Sequence, residues 1–196
     1  MNSKKIGIAV LTLALLTQAV PACAQDRWGV EFRAHGAVAT QDELQDDAQG
    51  GYGFEASLFV RLYQHLGVYA GWDWSQFTTL QTIAGPDVDM EETGYAVGLR
   101  FEHPVSPDGG TTLWLRGGAT LNHLELEDHA GNVIDDTGHG FGWEAGAGVA
   151  LRLGANWDLT PGIRYRSLSR DVEVDGLTVP VPLQYVAFEM GFRRGF

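Results

Sequence analysis

Residues 185–196, YVAFEMGFRRGF, change character at every step. Val186, Phe188, Met190, Phe192 and Phe196 share one parity, and Tyr185, Ala187, Glu189, Gly191 and Arg193 share the other. A period of two marks a strand whose faces meet different surroundings. The same alternation recurs upstream and predicts strands over 28–38, 52–63, 66–77, 93–102, 111–121, 138–153, 157–168 and 181–196. Short connections at Gln64-His65, Pro107-Asp108-Gly109-Gly110 and 154–156 alternate with long ones at 39–50, 78–92, 122–137 and 169–179. Pro161 lies inside the seventh strand, where it removes a ladder hydrogen bond, so a bulge or gap is expected there.

Eight strands joined by alternating short and long connections predict an all-β fold, an eight-stranded antiparallel up-and-down β-barrel. Parity alone does not say which face is inside. A soluble lipocalin-like barrel points its large apolar residues inward, and a transmembrane barrel points them outward. The aromatic positions favour the second. Tyr52, Phe54, Trp72, Trp74, Tyr95, Phe141, Trp143 and Tyr165 fall near one rim, with Trp28, Phe101, Trp157, Phe192 and Phe196 near the other and aliphatic residues between. Two such girdles match the two interfaces of a bilayer. Arg194 has the lipid-facing parity but lies near an interface, where it can snorkel.

The 196-residue chain suits one domain. Away from the N-terminus it has no apolar run near 18 residues, so a helical span is not expected. Residues 1–24 read as a secretory signal peptide: Lys4 and Lys5, an apolar stretch 6–16, then Ala22-Cys23-Ala24 as the cleavage box. Residues 25–196 form the expected barrel domain. An uncleaved anchor and lipidation at Cys23 are the alternatives for that segment; the sequence around Cys23 is only loosely lipobox-like. With a single cysteine there is no intramolecular disulfide.

Charge sorts by position. The inward parity carries Glu31, Glu55, Asp73, Glu102, Glu144, Asp158 and Glu189, and Arg33, Arg61, Arg100, Arg116, Arg152, Arg164, Arg166 and Arg193. Buried charges need partners, and the planar guanidinium suits carboxylates. Eight strands enclose a space that side chains can fill, so a salt-bridged interior is expected rather than an open pore. Across the closing seam, Glu189 is expected to pair with Arg33, and Arg193 with Glu31. The long loops hold sixteen acids and one arginine, Arg170, against a chain charge of −12. A cationic partner, or divalent cations shared with lipopolysaccharide, fits that surface, as does a merely solvated repulsive one; nucleic acid does not fit.

With its signal peptide, eight alternating strands, the runs Gly117-Gly118 and Gly146-Ala147-Gly148 and a terminal Phe196, the chain resembles small outer-membrane barrels of the OmpA/OmpX type. That resemblance implies a monomer in the Gram-negative outer membrane with both termini periplasmic. It also implies a structural or adhesive role through the loops, and recognition of Phe188, Met190, Phe192 and Phe196 by the barrel-assembly machinery. The two-domain version with a peptidoglycan-binding domain is not expected. A small porin, or a channel for hydrophobic compounds, is one alternative. A lipid A-modifying enzyme is another, since His123, His139 and Ser167 have outward parity at the outer ends of neighbouring strands. The His-x-Ser spacing of lipid A deacylase barrels is absent, and no catalytic role is expected. His123, His129 and His139 match no standard metal-ligand spacing, so neither metal nor cofactor is expected.

Overall fold

The computed structural model describes residues 27–40, 48–79, 81–82, 85–86, 89–127, 133–174 and 177–196. The expected signal peptide, with Ala22, Cys23 and Ala24, lies outside these residues. Eight barrel strands run in chain order: β1 (Trp28–Ala39), β2 (Ala48–Arg61), β3 (Leu66–Thr79), β4 (Asp89–Pro104), β5 (Thr111–Glu127), β6 (Gly140–Arg152), β7 (Trp157–Leu159 with Gly162–Val174) and β8 (Leu177–Gly195). Each pairs antiparallel with its sequence neighbours. β1 pairs in addition with β8, from Gly29 opposite Gly195 to Ala39 opposite Tyr185. The eight strands therefore close into a barrel. Among the described residues no helix is long and apolar enough to cross a membrane, whereas a barrel crosses with its strands.

The alternation sets the faces. In β1 every second residue is buried, with Glu31, Arg33 and His35 inside and Trp28, Val30, Phe32 and Val38 outside. The outer surface is apolar around the barrel: Val97, Leu99, Leu115, Ile163, Phe188 and Met190 are all exposed, Phe141 at 80 %. A soluble protein has no reason to turn this band outward while burying its arginines; hydrocarbon gives one. Aromatic residues border the band. On the side of the long connections Tyr52 packs edge-on to Trp74, and Trp143 lies against Tyr165, with centroids 5.8 and 5.2 Å apart. On the side of the short turns Trp28 stacks on Phe196 at 4.5 Å. Arg194 lies over the rings of Phe196 and Trp157, which holds its charge at that border.

Each short turn has its own closure. Leu66 N–H donates to the Tyr63 carbonyl, and Leu153 N–H to that of Trp157. In the Pro107-Asp108-Gly109 turn, Gly109 takes φ 68°, and the Ser106 hydroxyl accepts from Thr111 N–H at 2.8 Å. The gap expected at Pro161 is present: β7 breaks at Thr160-Pro161 and resumes at Gly162. The Pro161 carbonyl still accepts from Val149 N–H, and Thr160 N–H donates to Gly191. The break leaves the Thr160 side chain buried in the lumen.

Beyond the long-connection girdle the strands differ from expectation. β4 begins at Asp89 rather than 93, β5 runs to Glu127 rather than 121, and β7 and β8 extend to Val174 and back to Leu177. Much of what read as acidic loop is ladder. The period of two persists there with exchanged chemistry: Met90, Leu124, Leu126, Leu168 and Leu183 point inward, while Asp89, Glu91, His123 and Glu125 point outward. This is the facing of a water-soluble barrel, and it marks where the strands leave the apolar zone. β4, β5 and β8 have 16, 17 and 19 residues, against the roughly 9–11 that cross a bilayer.

The outward face of β4 supplies a test of the apolar zone. Leu99 lies between Tyr95 and Phe101, so Leu99→Arg places a charge at mid-band. The expected loss is about 2–4 kcal/mol in reversible folding into lipid vesicles. A neutral result would place that face in water.

Candidate functional site

The lumen and the rim at the long-connection end hold the chemistry of this chain. From the short-turn end inward, Arg61 meets Glu102 at 2.8 Å, and Arg193 bonds both Glu102 and Asp158. Arg100 bridges Glu102 at 2.9 Å and Glu31 at 2.5 Å. Glu31 also takes Arg33 at 2.8 Å and the Thr160 hydroxyl at 2.5 Å. Trp114 is fully buried between two guanidiniums, with Arg33 4.7 Å and Arg100 4.9 Å from the ring. Its indole lies on Gly148 and Gly162, where an added Cβ would come within 2.5 and 2.3 Å of the ring. Glycine at these two positions makes room for tryptophan at the centre of an eight-stranded tube.

At mid-lumen Glu55 receives two bonds from Arg116, at 2.8 and 2.7 Å, and one from Arg164 at 2.9 Å. Glu189 lies 2.8 Å from Arg164 and 3.6 Å from Arg33. Glu144 accepts from Arg166 at 2.6 Å and from the Tyr69 hydroxyl at 2.7 Å. Arg166 also bonds Asp73 and reaches Glu92 at 2.8 Å. Tyr185 and Asn122 donate to Glu92 as well, at 2.8 and 2.6 Å. Above this layer Phe77, Met90, Leu124, Leu126, Leu168 and Leu183 pack into an apolar cluster with Ala37 and Tyr185. A cavity of about 210 Å³ opens at the short-turn end, lined by Arg61, His65, Glu102, Asp158 and Arg193 among others.

On the rim at the long-connection end, His123 on β5 lies 3.0 Å from Glu125. The His139 ring, just before β6, is 4.6 Å from that of His123. Ser167 lies on β7 opposite Trp143 and Gln184, and no hydrogen bond joins it to either imidazole. His129 lies outside the described residues.

Residues 8–184 match the family described as the outer membrane protein beta-barrel domain. The chain belongs to this outer-membrane β-barrel family. Among curated proteins no sequence matches it. Among solved structures it is similar to Neisserial surface protein A, at 16 % identity and TM-score 0.67, over 89 % of this chain and 100 % of that one. It is similar also to the outer membrane protein OprG of Pseudomonas aeruginosa, at 9 % identity and TM-score 0.58, over 88 % and 97 % of the two chains. A third such structure is the outer membrane protein AlkL, at 13 % identity and TM-score 0.54, over 92 % and 96 %. At these identities the likeness concerns the fold. Family membership places the chain in the Gram-negative outer membrane, as a barrel of the kind that the sequence pattern resembles.

Within this outer-membrane barrel, Glu31, Arg33, Glu55, Asp73, Arg100, Glu102, Arg116, Glu144, Arg164, Arg166, Glu189 and Arg193 are buried in the lumen, and Arg61 and Asp158 are partly buried at its mouth. Arg152 departs from expectation. Its side chain is 47 % exposed at the rim, and its nearest approach to Asp158 is 4.0 Å. The seam departs in part. Glu189 lies within ion-pair reach of Arg33, but Arg193, although opposite Glu31 in register, is drawn to Glu102 and Asp158. Glu31 is already shared by Arg33 and Arg100, and the long arginine side chain reaches past its cross-strand neighbour.

Glu92, Asn122 and Arg170 belong to stretches whose composition reads as loop, yet all three are buried. Arg170 donates to the backbone carbonyls of Asn122, Phe141, Ser169 and Gly140, tying β5, β6 and β7 where β6 begins. The available signal was parity. Continuing the even register of β4 backward from Arg100 would have placed Glu92 inside. Phe188, Met190 and Phe192 face outward on β8, and Phe196, just past its end, is exposed as well.

Position in the network sets the cost of a lost charge. Arg116→Met takes from the fully buried Glu55 its two-point partner, leaving Arg164 as its one short contact, and is expected to lower stability by about 3–5 kcal/mol. Arg61→Met acts on a pair that is 27 % exposed on the arginine side and is expected to cost about 1 kcal/mol or less. Denaturant unfolding of the two variants in lipid or detergent measures the difference.

Proposed function

We propose that this outer-membrane barrel is a sealed, non-conducting and non-enzymatic scaffold that presents an acidic surface for interaction at its long-connection end. The carrying observation is the filled lumen. A network of paired arginines and carboxylates occupies its length, and the apolar cluster of Phe77, Met90, Leu124, Leu168 and Leu183 lies across it toward the long connections. An ion moving through would have to break several buried charge pairs and then cross apolar packing, both costly in a medium of low dielectric. In this reading the short turns and both termini face the periplasm. The protein is a monomer whose outer face is covered by lipid and lipopolysaccharide.

The outer rim supports the interaction half of the reading. Asp89, Glu91, Glu125, Glu127 and Asp136 lie on described strands at the long-connection end, and most of the remaining acids of the long segments lie nearby in sequence. A surface of this sign steers cationic partners and repels nucleic acid. Ser167 acts in this reading as a headgroup-level polar residue.

Planar-bilayer recordings test the seal. The wild-type chain is expected to show no steady unit conductance, whereas Phe77→Ala combined with Trp114→Ala, which empties two layers of the lumen, is expected to leak. Steady openings of the wild type would establish the channel reading instead. Hydrolysis of lipopolysaccharide acyl chains by the purified protein, lost in Ser167→Ala, would establish the enzymatic one.

The outward residues Phe188, Met190, Phe192 and Phe196 serve, in the same reading, as the signal read during assembly. Deleting Phe196 is expected to lower the amount of folded barrel in outer-membrane fractions several-fold. The deletion should leave folding of the purified chain into detergent largely intact. Equal loss in both assays would assign Phe196 to stability through its stack on Trp28.

A further inference from the structure

The rim of β5 combines donors of two kinds in one place. His123 and Glu125 are two residues apart on the outward face of β5. The short strand Val133–Asp136 folds back on the same edge and sets Asp136 directly opposite Glu125. One ligand atom from each of His123, Glu125 and Asp136 lies within 4.8 Å of the other two. The His139 ring stands 4.6 Å from that of His123, so a second imidazole is at hand. One Asp136 carboxylate oxygen accepts from Gly138 N–H at 2.9 Å, which orients the group as supporting contacts orient metal ligands.

Electrostatics gives an independent reason for a cation here. Glu125 has Glu91 opposite it on β4 and Asp136 opposite it on the other side. Three acidic side chains thus stand in line across adjacent strands, an arrangement that costs free energy when like charges face each other. A divalent ion bound among them removes that cost. It would also join the short strand to β5 and so fasten the β5–β6 connection at the outer rim.

We propose that His123, Glu125 and Asp136, with the His139 ring beside His123, form a site for a borderline divalent transition metal of the zinc class. An imidazole and two carboxylates, with a fourth position open, form a donor set suited to Zn²⁺, whereas Ca²⁺ and Mg²⁺ favour oxygen ligands alone. The site lies on the rim just beyond the aromatic girdle, outside the buried network of the lumen, and stands apart from the seal proposed above.

Calorimetric titration of the folded, chelator-treated barrel in detergent with Zn²⁺ tests the site. His65→Ala/His103→Ala serves as background, because those two rings also lie close together, 5.1 Å apart at the opposite end. One saturable Zn²⁺ site is expected. His123→Ala and Glu125→Gln are each expected to weaken it by at least the roughly 10–100-fold that loss of a supporting partner causes. These positions face outward on the rim, so heat-modifiable gel migration should show both variants folded. The proposal is overturned if Zn²⁺ does not saturate, or if both variants bind it as the background protein does. It is also overturned if Ca²⁺ binds as tightly as Zn²⁺ and His123→Ala leaves that binding unchanged, since the row of acids would then hold counterions without the imidazoles.

Discussion

Ladder bonds between β1 and β8, running from Gly29 opposite Gly195 to Ala39 opposite Tyr185, turn an open sheet into a tube. In hydrocarbon an unpaired backbone N–H or C=O has no water to turn to, so two free edges would cost several kcal/mol per exposed group. Closure removes that cost and fixes which face is inside. Between the two rims, the polar side chains of inward parity are then taken from water and must find their partners in the lumen. The charge network follows from closure, as does the outward apolar band.

That network is shared rather than pairwise. Glu31, Glu55, Glu144 and Glu189 each touch more than one guanidinium, and Arg116, Arg164 and Arg166 each touch more than one carboxylate. Glu92 joins the carboxylates, and Arg152 leaves the guanidiniums for the rim. The hydroxyls of Tyr69, Tyr185 and Thr160 supply further donors to the carboxylates. Trp114 fills the volume between two arginines, which explains why small residues gather opposite it. The charges of such a lumen are committed to one another, and the unshared polar chemistry lies at the rim.

The rim obeys a different rule because its solvent differs. Below the girdle of Tyr52, Trp74, Tyr95 and Trp143 the lipid side is apolar and the lumen charged. Above it the lumen is apolar apart from Arg170, and the outside is acidic, on the same strands and with the same period. Glu92 and Asn122 lie near the crossover and take part in the charged layer, while Met90 and Leu124, two residues further on, belong to the apolar cluster. The exchange explains why acidic composition suggested loops where there are strands: a charged outward face reads as a connection if the solvent is assumed to be lipid throughout.

Parity along single strands was legible without coordinates, because it records only which of two solvents each side chain meets. Together with the aromatic girdles and the proline at 161, it was enough to establish the eight barrel strands, their faces between the girdles, the break at Pro161 and, apart from Arg152, the inward set from Glu31 to Arg193. The choice of partner was not legible. Arg193 stands opposite Glu31 yet bonds Glu102 and Asp158, because a long side chain in a narrow tube reaches across strands that are remote in sequence. The meeting of His123, Glu125, Asp136 and His139 was equally hidden, since it depends on a short strand folding back on β5. The local pattern determined the barrel and its orientation to lipid. Only closure in three dimensions decided which charges neutralise one another and which donors gather on the rim.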